Sequence, residues 1–142
     1  MKQESEAAHQ SQCVKWFNEQ YCKPSQSPQL RIHSVINGVG ISIPKEDKIP
    51  VFFQNYFYKL ISKFISIQVN LGLYTGVADC LIHGVNGKCL WVEFKKSDGK
   101  QSKEQKREQE RTEKNGGRYI VPRSLLDFHK QISENIDWLL DK

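Results

Sequence analysis

The chain has 142 residues, 38% of them hydrophobic and 26% charged, which suits one soluble domain with a single core. No stretch approaches eighteen consecutive apolar residues, which excludes a transmembrane helix. The polar start Met1-Lys2-Gln3-Glu4-Ser5-Glu6 holds no signal-peptide core, so the cytoplasm is the expected compartment.

A net charge of +5 suits a polyanionic partner without naming one. From about Glu4 to Tyr21, Cys13, Val14, Phe17 and Tyr21 recur at helical spacing, and Lys23-Pro24-Ser25-Gln26-Ser27-Pro28 breaks that helix. Leu30, Ile32 and Ile36 alternate around Arg31 and His33, as in a strand ending at the turn signal Asn37-Gly38. After the polar connector Pro44-Lys45-Glu46-Asp47-Lys48, Pro50 suits the first turn of a second helix. Phe53, Tyr56, Phe57, Leu60, Ile61, Phe64 and Ile67 trace an apolar stripe along it, and Gly72 is its stop.

Ala78 to Lys96 reads as a β-hairpin closed around Asn86-Gly87. Ser102, with Gln105 three residues on, makes a capping box for a helix to about Lys114, ended by Asn115-Gly116-Gly117. Tyr119-Ile120-Val121 is a short strand. Ser124 and Asp127 cap a last helix whose Leu125, Phe128, Ile132, Ile136 and Leu139 face inward. The order α-β-α-β-β-α-β-α predicts an α/β sandwich, with helices around a small mixed sheet, as one domain over 1–142.

Two features need a separate reading. Cys13 and Cys22 are nine apart, as are Cys80 and Cys89, wider than common zinc spacings; buried thiols are expected, with a Cys₄ zinc site as the rival. The helix from Lys103 to Lys114 has no apolar residue. Its pairs Lys106–Glu110 and Glu110–Lys114 contribute about a few tenths of a kcal/mol each. It is either a solvated surface helix or one laid beside a phosphate backbone.

The chemistry is concentrated in Gly76-Val77-Ala78-Asp79 and Trp91-Val92-Glu93-Phe94-Lys95. Glu93 and Lys95, two apart in a strand, project from one face, and Asp79 lies on the neighbouring strand. Two carboxylates suit a hard cation such as Mg²⁺, which can bind a scissile phosphate and acidify an attacking water. Lys95 would orient that water or hold a phosphate oxygen. A two-residue loop of Asn86 and Gly87 would put Asp79 and Glu93 on opposite faces. A three-residue loop, Val85-Asn86-Gly87 with Gly87 left-handed, pairs Gly84 with Lys88 and Asp79 with Glu93, and the chemistry demands that register.

Gly76-Val77-Ala78-Asp79, Glu93-Phe94-Lys95, Gly99 and Ser102-Lys103-Glu104-Gln105 together resemble the PD-(D/E)xK nuclease superfamily, and within it the virus-type replication-repair nuclease (VRR-NUC) family. Glu6, Gln10 and Trp16 match that family's first helix, and His33, Asn37 and Gly38 its following strand. Ala78 stands where members carry proline, and Val69 falls in the region where relatives carry a lysine, with Lys63 only a distant substitute. The resemblance implies a restriction-endonuclease-like sandwich. Asp79, Glu93 and the Phe94 carbonyl would hold the metal, Lys95 would be the catalytic lysine, Gln105 would touch the site, and Glu6 would face the metal from the first helix.

Other readings stand beside these. Glu93 and Lys95 would otherwise be a solvent-facing pair on an edge strand, Glu6 an ordinary first-turn acid, and His33 a surface residue. Trp16, Trp91 and Trp138 read as core. Lys96, Lys100, Lys103, Lys106 and Arg107 are the expected DNA contacts, or else a solvated basic run. The expected activity is a Mg²⁺-dependent DNA endonuclease, with Mn²⁺ able to stand in, acting as a homodimer on branched DNA in the manner of Holliday junction resolvases. The rivals are a flap or single-strand nuclease and a catalytically degenerate DNA-binding module.

Overall fold

The elements form in the expected order: α1 (Glu6–Tyr21), β1 (Arg31–Ser34), α2 (Val51–Asn70), β2 (Cys80–His83), β3 (Cys89–Val92), α3 (Lys103–Lys114), β4 (Arg118–Ile120) and α4 (Leu125–Leu140). The computed structural model describes residues 5–23, 25, 30–35, 50–70 and 76–142, without the side chains of 65 and 67–70. The expected turn at Asn37-Gly38, the connector from Pro44 to Lys48 and the stop at Gly72 lie outside the described residues. Two units are present, Met1–Val35 with Gly76–Lys142, and Ile36–Thr75, and every expected site residue falls in the first. Among the described residues no helix is long and apolar enough to cross a membrane.

The first unit is built on a four-stranded sheet of order β1-β2-β3-β4, antiparallel except for the parallel pair β3 and β4. Cys80 pairs with Val92 and His83 with Cys89, and the Gly84 amide donates to the Lys88 carbonyl at 2.8 Å. The hairpin loop is therefore Val85-Asn86-Gly87, with Gly87 left-handed at φ 73°, in the register that sets Asp79 against Glu93. Asn86 is left-handed as well, at φ 56°, a conformation asparagine tolerates better than most residues. Asn86 and Lys88 both donate to the Asp141 carboxylate just beyond α4.

The sheet alternates cleanly. Ala78, Cys80, Ile82, Leu90, Val92, Phe94 and Ile120 are buried and pack against Cys13 and Phe17 of α1 and Phe128, Ile132 and Leu139 of α4. The residues between them, including Trp91, Glu93, Lys95 and Tyr119, belong to the opposite face, against which α3 lies. That explains a helix with no apolar side chain: the surface it covers carries the acid and the lysine. The helix is not wholly solvated, because Thr112 is buried and Gln105, Glu108 and Gln109 are half-buried. Its side chains also pair differently from the sequence reading: Arg111 meets Glu108 at 3.3 Å and Gln109 donates to Glu113 at 2.9 Å. Lys106–Glu110 and Glu110–Lys114 are not among the ion pairs of the described residues.

Cys13 and Cys80 are core residues, whereas Cys22 and Cys89 are only half-buried, and none of the four is in a disulfide. Trp16, Trp91 and Trp138, expected in the core, are half-buried: Trp16 and Trp138 pack against its margin, and Trp91 lies on the opposite face of the sheet. Trp16 stacks on His129 with ring centroids 3.8 Å apart, and Trp138 receives the Arg118 guanidinium at 4.5 Å.

In the second unit, the Pro50 carbonyl accepts from the Phe53 and Gln54 amides at 2.9 and 3.2 Å, so the proline stands one place ahead of the first turn of α2. Phe53, Tyr56, Phe57, Leu60 and Phe64 of the stripe are exposed, as are Val51, Phe52 and Tyr58 beside them.

Candidate active site

Asp79 is placed by the chain on both sides of it. At Gly76 the backbone takes φ 87° and passes under the first turn of α3. A Cβ there would stand 2.7 Å from the Glu104 Cβ and 2.8 Å from the Glu104 carbonyl carbon, so glycine is required. The Asp79 carbonyl accepts from the Val35 amide at 2.8 Å, and its carboxylate accepts from the Phe94 amide at 2.8 Å.

The other strand is held from the β4 side. The Glu93 amide donates to the Ile120 carbonyl at 3.0 Å and the Lys95 amide to the Pro122 carbonyl at 3.1 Å, continuing the parallel pairing beyond Val92. Between them the Phe94 amide points the other way, to Asp79, and in a strand the carbonyl of that residue shares its direction. The acid side chain thus takes the place of a missing strand partner.

Glu93 is 1% exposed. Its Oε1 accepts from Lys95 Nζ at 2.7 Å and from Gln105 Nε2, and its Oε2 is buried with no hydrogen-bond partner. Burial pushes the Glu93 carboxyl up to about 7; the hydrogen bond from Lys95 opposes this and the charge of Asp79 reinforces it. The glutamine is delivered by helix capping. Ser102 Oγ accepts the Gln105 amide at 3.1 Å and Gln105 Oε1 accepts the Ser102 amide at 2.8 Å, which leaves the side-chain NH₂ free to reach Glu93. One motif therefore starts a helix and braces an acid.

Glu6 opens α1 and accepts the Lys96 amide at 3.3 Å; its charge adds to the forces that raise Glu93. Gln10, one turn on, donates to Cys80 Sγ at 3.3 Å. Among the described residues no three His, Cys, Asp or Glu side chains gather as a metal-holding group, and the four cysteines form no zinc site. Asp79, Glu93 and the Phe94 carbonyl would offer an ion two carboxylates and a strand carbonyl. That set fits a hard cation that keeps waters, and the unpartnered Glu93 Oε2 is the kind of buried acceptor such an ion satisfies.

The structure brings Asp79, Glu93, Lys95 and Gln105 together, with Glu6 one residue away at Lys96. Lys96, Lys100, Lys103, Lys106 and Arg107 are all exposed. His33 is an exposed strand residue, edge-on to His83 at 5.2 Å. Three residues of this region were not singled out as site candidates from sequence. His9 is buried edge-on to Phe94 at 5.4 Å, and its place one turn from Glu6 is the signal that could have found it. Arg123 donates to the carbonyls of Lys96, at 3.1 Å, and Gly99, a contact with no local signature. Tyr119 is buried, and that burial raises its phenol well above the ordinary range.

No protein-family model matches the sequence, and no curated protein is significantly similar to it. A solved structure described as a VRR_NUC domain protein superposes with a TM-score of 0.60 at 19% sequence identity, over 99% of this chain and 93% of that one. The two share the fold.

Proposed function

We propose that the chain is a metal-dependent nuclease that hydrolyses DNA phosphodiester bonds. One observation carries this reading: a fully buried glutamate, clamped through one oxygen by Lys95 and Gln105, keeps its other oxygen unpartnered within the field of the Asp79 charge. The likeness in fold to a VRR_NUC domain protein supports it.

Asp79, Glu93 and the Phe94 carbonyl would hold Mg²⁺, with Mn²⁺ able to replace it. When bound, the ion supplies positive charge to a phosphate oxygen and a more acidic water. The rest belongs to the chain. Lys95, 12% exposed in its side chain, carries a cation at the edge of the acid pair, where it orients a water or holds a phosphate oxygen. Gln105 fixes the Glu93 side chain, so that no rotamer search precedes reaction. Asp79, by accepting the Phe94 amide, keeps the hairpin strand and the acid in one frame. Lys96, Lys100, Lys103, Lys106 and Arg107 are the phosphate contacts in this reading. Branched DNA is the favoured substrate, since two copies of the chain would meet its two-fold symmetry.

The test is a panel of labelled DNA substrates (four-way junction, flap, single strand and duplex) incubated with Mg²⁺ or with EDTA. Cleavage that requires the metal and is lost in Asp79→Asn and Glu93→Gln supports the assignment, and preference within the panel names the substrate. Binding without cleavage under any metal would replace the reading with that of a DNA-binding module.

A further inference from the structure

A separate cavity of about 200 Å³ lies beside the acidic site and shares Glu6 with it. Two helices begin at this cavity, because their caps Ser5 and Ser124 both line it. Each cap is used in the same way. Ser5 takes the Ala8 and His9 amides at 3.2 and 3.0 Å, and Ser124 takes those of Asp127 and Phe128 at 3.1 and 2.9 Å. The amides of Glu6 and Ala7, and of Leu125 and Leu126, have no acceptor within their helices, and both macrodipoles place positive charge there.

The remaining walls are cationic and hydroxylic. Lys96, Ser97 and Arg123 contribute, and Arg123 is braced through one guanidinium nitrogen on the Lys96 carbonyl at 3.1 Å, with further N–H donors to spare. His9 also lines the cavity. It is 6% exposed, and its Nε2 is buried without a hydrogen-bond partner. A buried polar nitrogen left unpaired costs stability unless a ligand or ion completes it. One opposing charge is present, the Glu6 carboxylate, and its Oε1 already accepts the Lys96 amide.

We propose that this cavity is a phosphate subsite, taking a phosphate group of nucleic acid next to the bond-breaking carboxylates. Two helix starts, two cations, three serine hydroxyls and an unsatisfied imidazole nitrogen converge on a space large enough for one phosphate and its waters. Naming nucleic acid as the source rests on the nuclease reading; affinity for phosphate does not. The phosphate is either a strand's terminal monophosphate or an internal phosphodiester, and the chemistry of recognition is the same.

The test uses the full chain without metal, so that neither cleavage nor a metal site enters the readout. Inorganic phosphate is titrated while backbone amides and imidazole nitrogens are followed by NMR. The expected result is one saturating set of shifts at Glu6, Ala7, Leu125, Leu126 and His9. Arg123→Ala should weaken it on the order of tenfold, the loss of a charge-assisted hydrogen bond. His9→Phe, which keeps the edge contact with Phe94, should weaken it too and gives a second variant if the first folds poorly. A tetrathymidylate with and without a 5′-phosphate separates the sources: dependence on that group indicates the terminal monophosphate, and equal shifts indicate an internal one. Absence of saturable shifts, shifts unchanged in both variants, or a response to inorganic phosphate with none to either oligonucleotide would each overturn the proposal. Glu93→Gln, which tests the nuclease reading, should leave the phosphate response intact.

Discussion

Replacing Gly76 by alanine should damage both stability and the candidate site, by an amount the geometry sets. The residue sits at φ 87°, and a Cβ would lie 2.7 Å from Glu104 Cβ, 2.8 Å from its carbonyl carbon and 3.1 Å from the Gln105 amide nitrogen. Left-handed backbone costs an L-residue about 1–2 kcal/mol. Forcing a methyl group into a packed contact costs about 1–3 kcal/mol more, since two of the atoms are main chain and cannot swing away. The sum is about 2–5 kcal/mol. With a urea slope of about 2 kcal/mol per molar, the unfolding midpoint should fall by about 1–2.5 M. Gly87→Ala is the control. It shares the left-handed backbone, at φ 73°, but its Cβ would meet nothing within 4 Å, so only the backbone part should appear. Urea unfolding followed by tryptophan fluorescence measures both. If Gly76→Ala proved no more destabilised than Gly87→Ala, the close passage of this loop under α3 would be wrong. The same displacement moves Gln105 away from Glu93, so cleavage by Gly76→Ala should fall further than that of Gly87→Ala.

Glu93→Gln should abolish Mg²⁺-dependent cleavage with an unchanged circular dichroism spectrum, and retained activity would remove Glu93 from the metal site. Lys106→Ala with Arg107→Ala should lower the slope of log affinity against log salt by about two on duplex DNA and leave the unfolding midpoint in place, because both side chains are exposed; identical slopes would show that DNA does not run along α3. Lys88 beside Asp141 holds its carboxyl below the ordinary value of 3.8, so the pair stabilises fully above that pH and loses its effect as pH falls through the depressed value. Unfolding curves of wild type and Asp141→Asn should therefore differ near pH 6 and converge in strong acid, and a constant gap would contradict the pairing.

The hairpin register was legible because chemistry restricted it. Asp79 and Glu93 share a face only across an odd loop, and Gly87 could take the conformation such a loop needs. The left-handed Asn86 was not foreseen, since asparagine enters that region by tolerance rather than necessity. The capping box at Ser102 was plain, but pattern reading stops at the backbone: it cannot tell that the amide left over from Gln105 reaches Glu93. Burial of Thr112 was invisible because hydrophobic periodicity finds helices by their apolar side chains, and α3 has none. Arg123 meets Lys96 only through the tertiary fold, with no local spacing to encode the contact, and the one trace of His9 was its place a turn from Glu6.

The parallel pairing of β3 with β4 has a consequence for synthesis. Asp79, Glu93 and Lys95 leave the ribosome well before Ile120 and Pro122, whose carbonyls align the main chain of the acid and the lysine. The hairpin can close early because its contacts are local, whereas the parallel strand must wait for α3 to be made and to cross over. A nascent chain therefore carries these acid and lysine side chains before it has the strand and the glutamine that hold them in position. The bracing of Glu93 and Lys95 is complete only once β4 has joined the sheet.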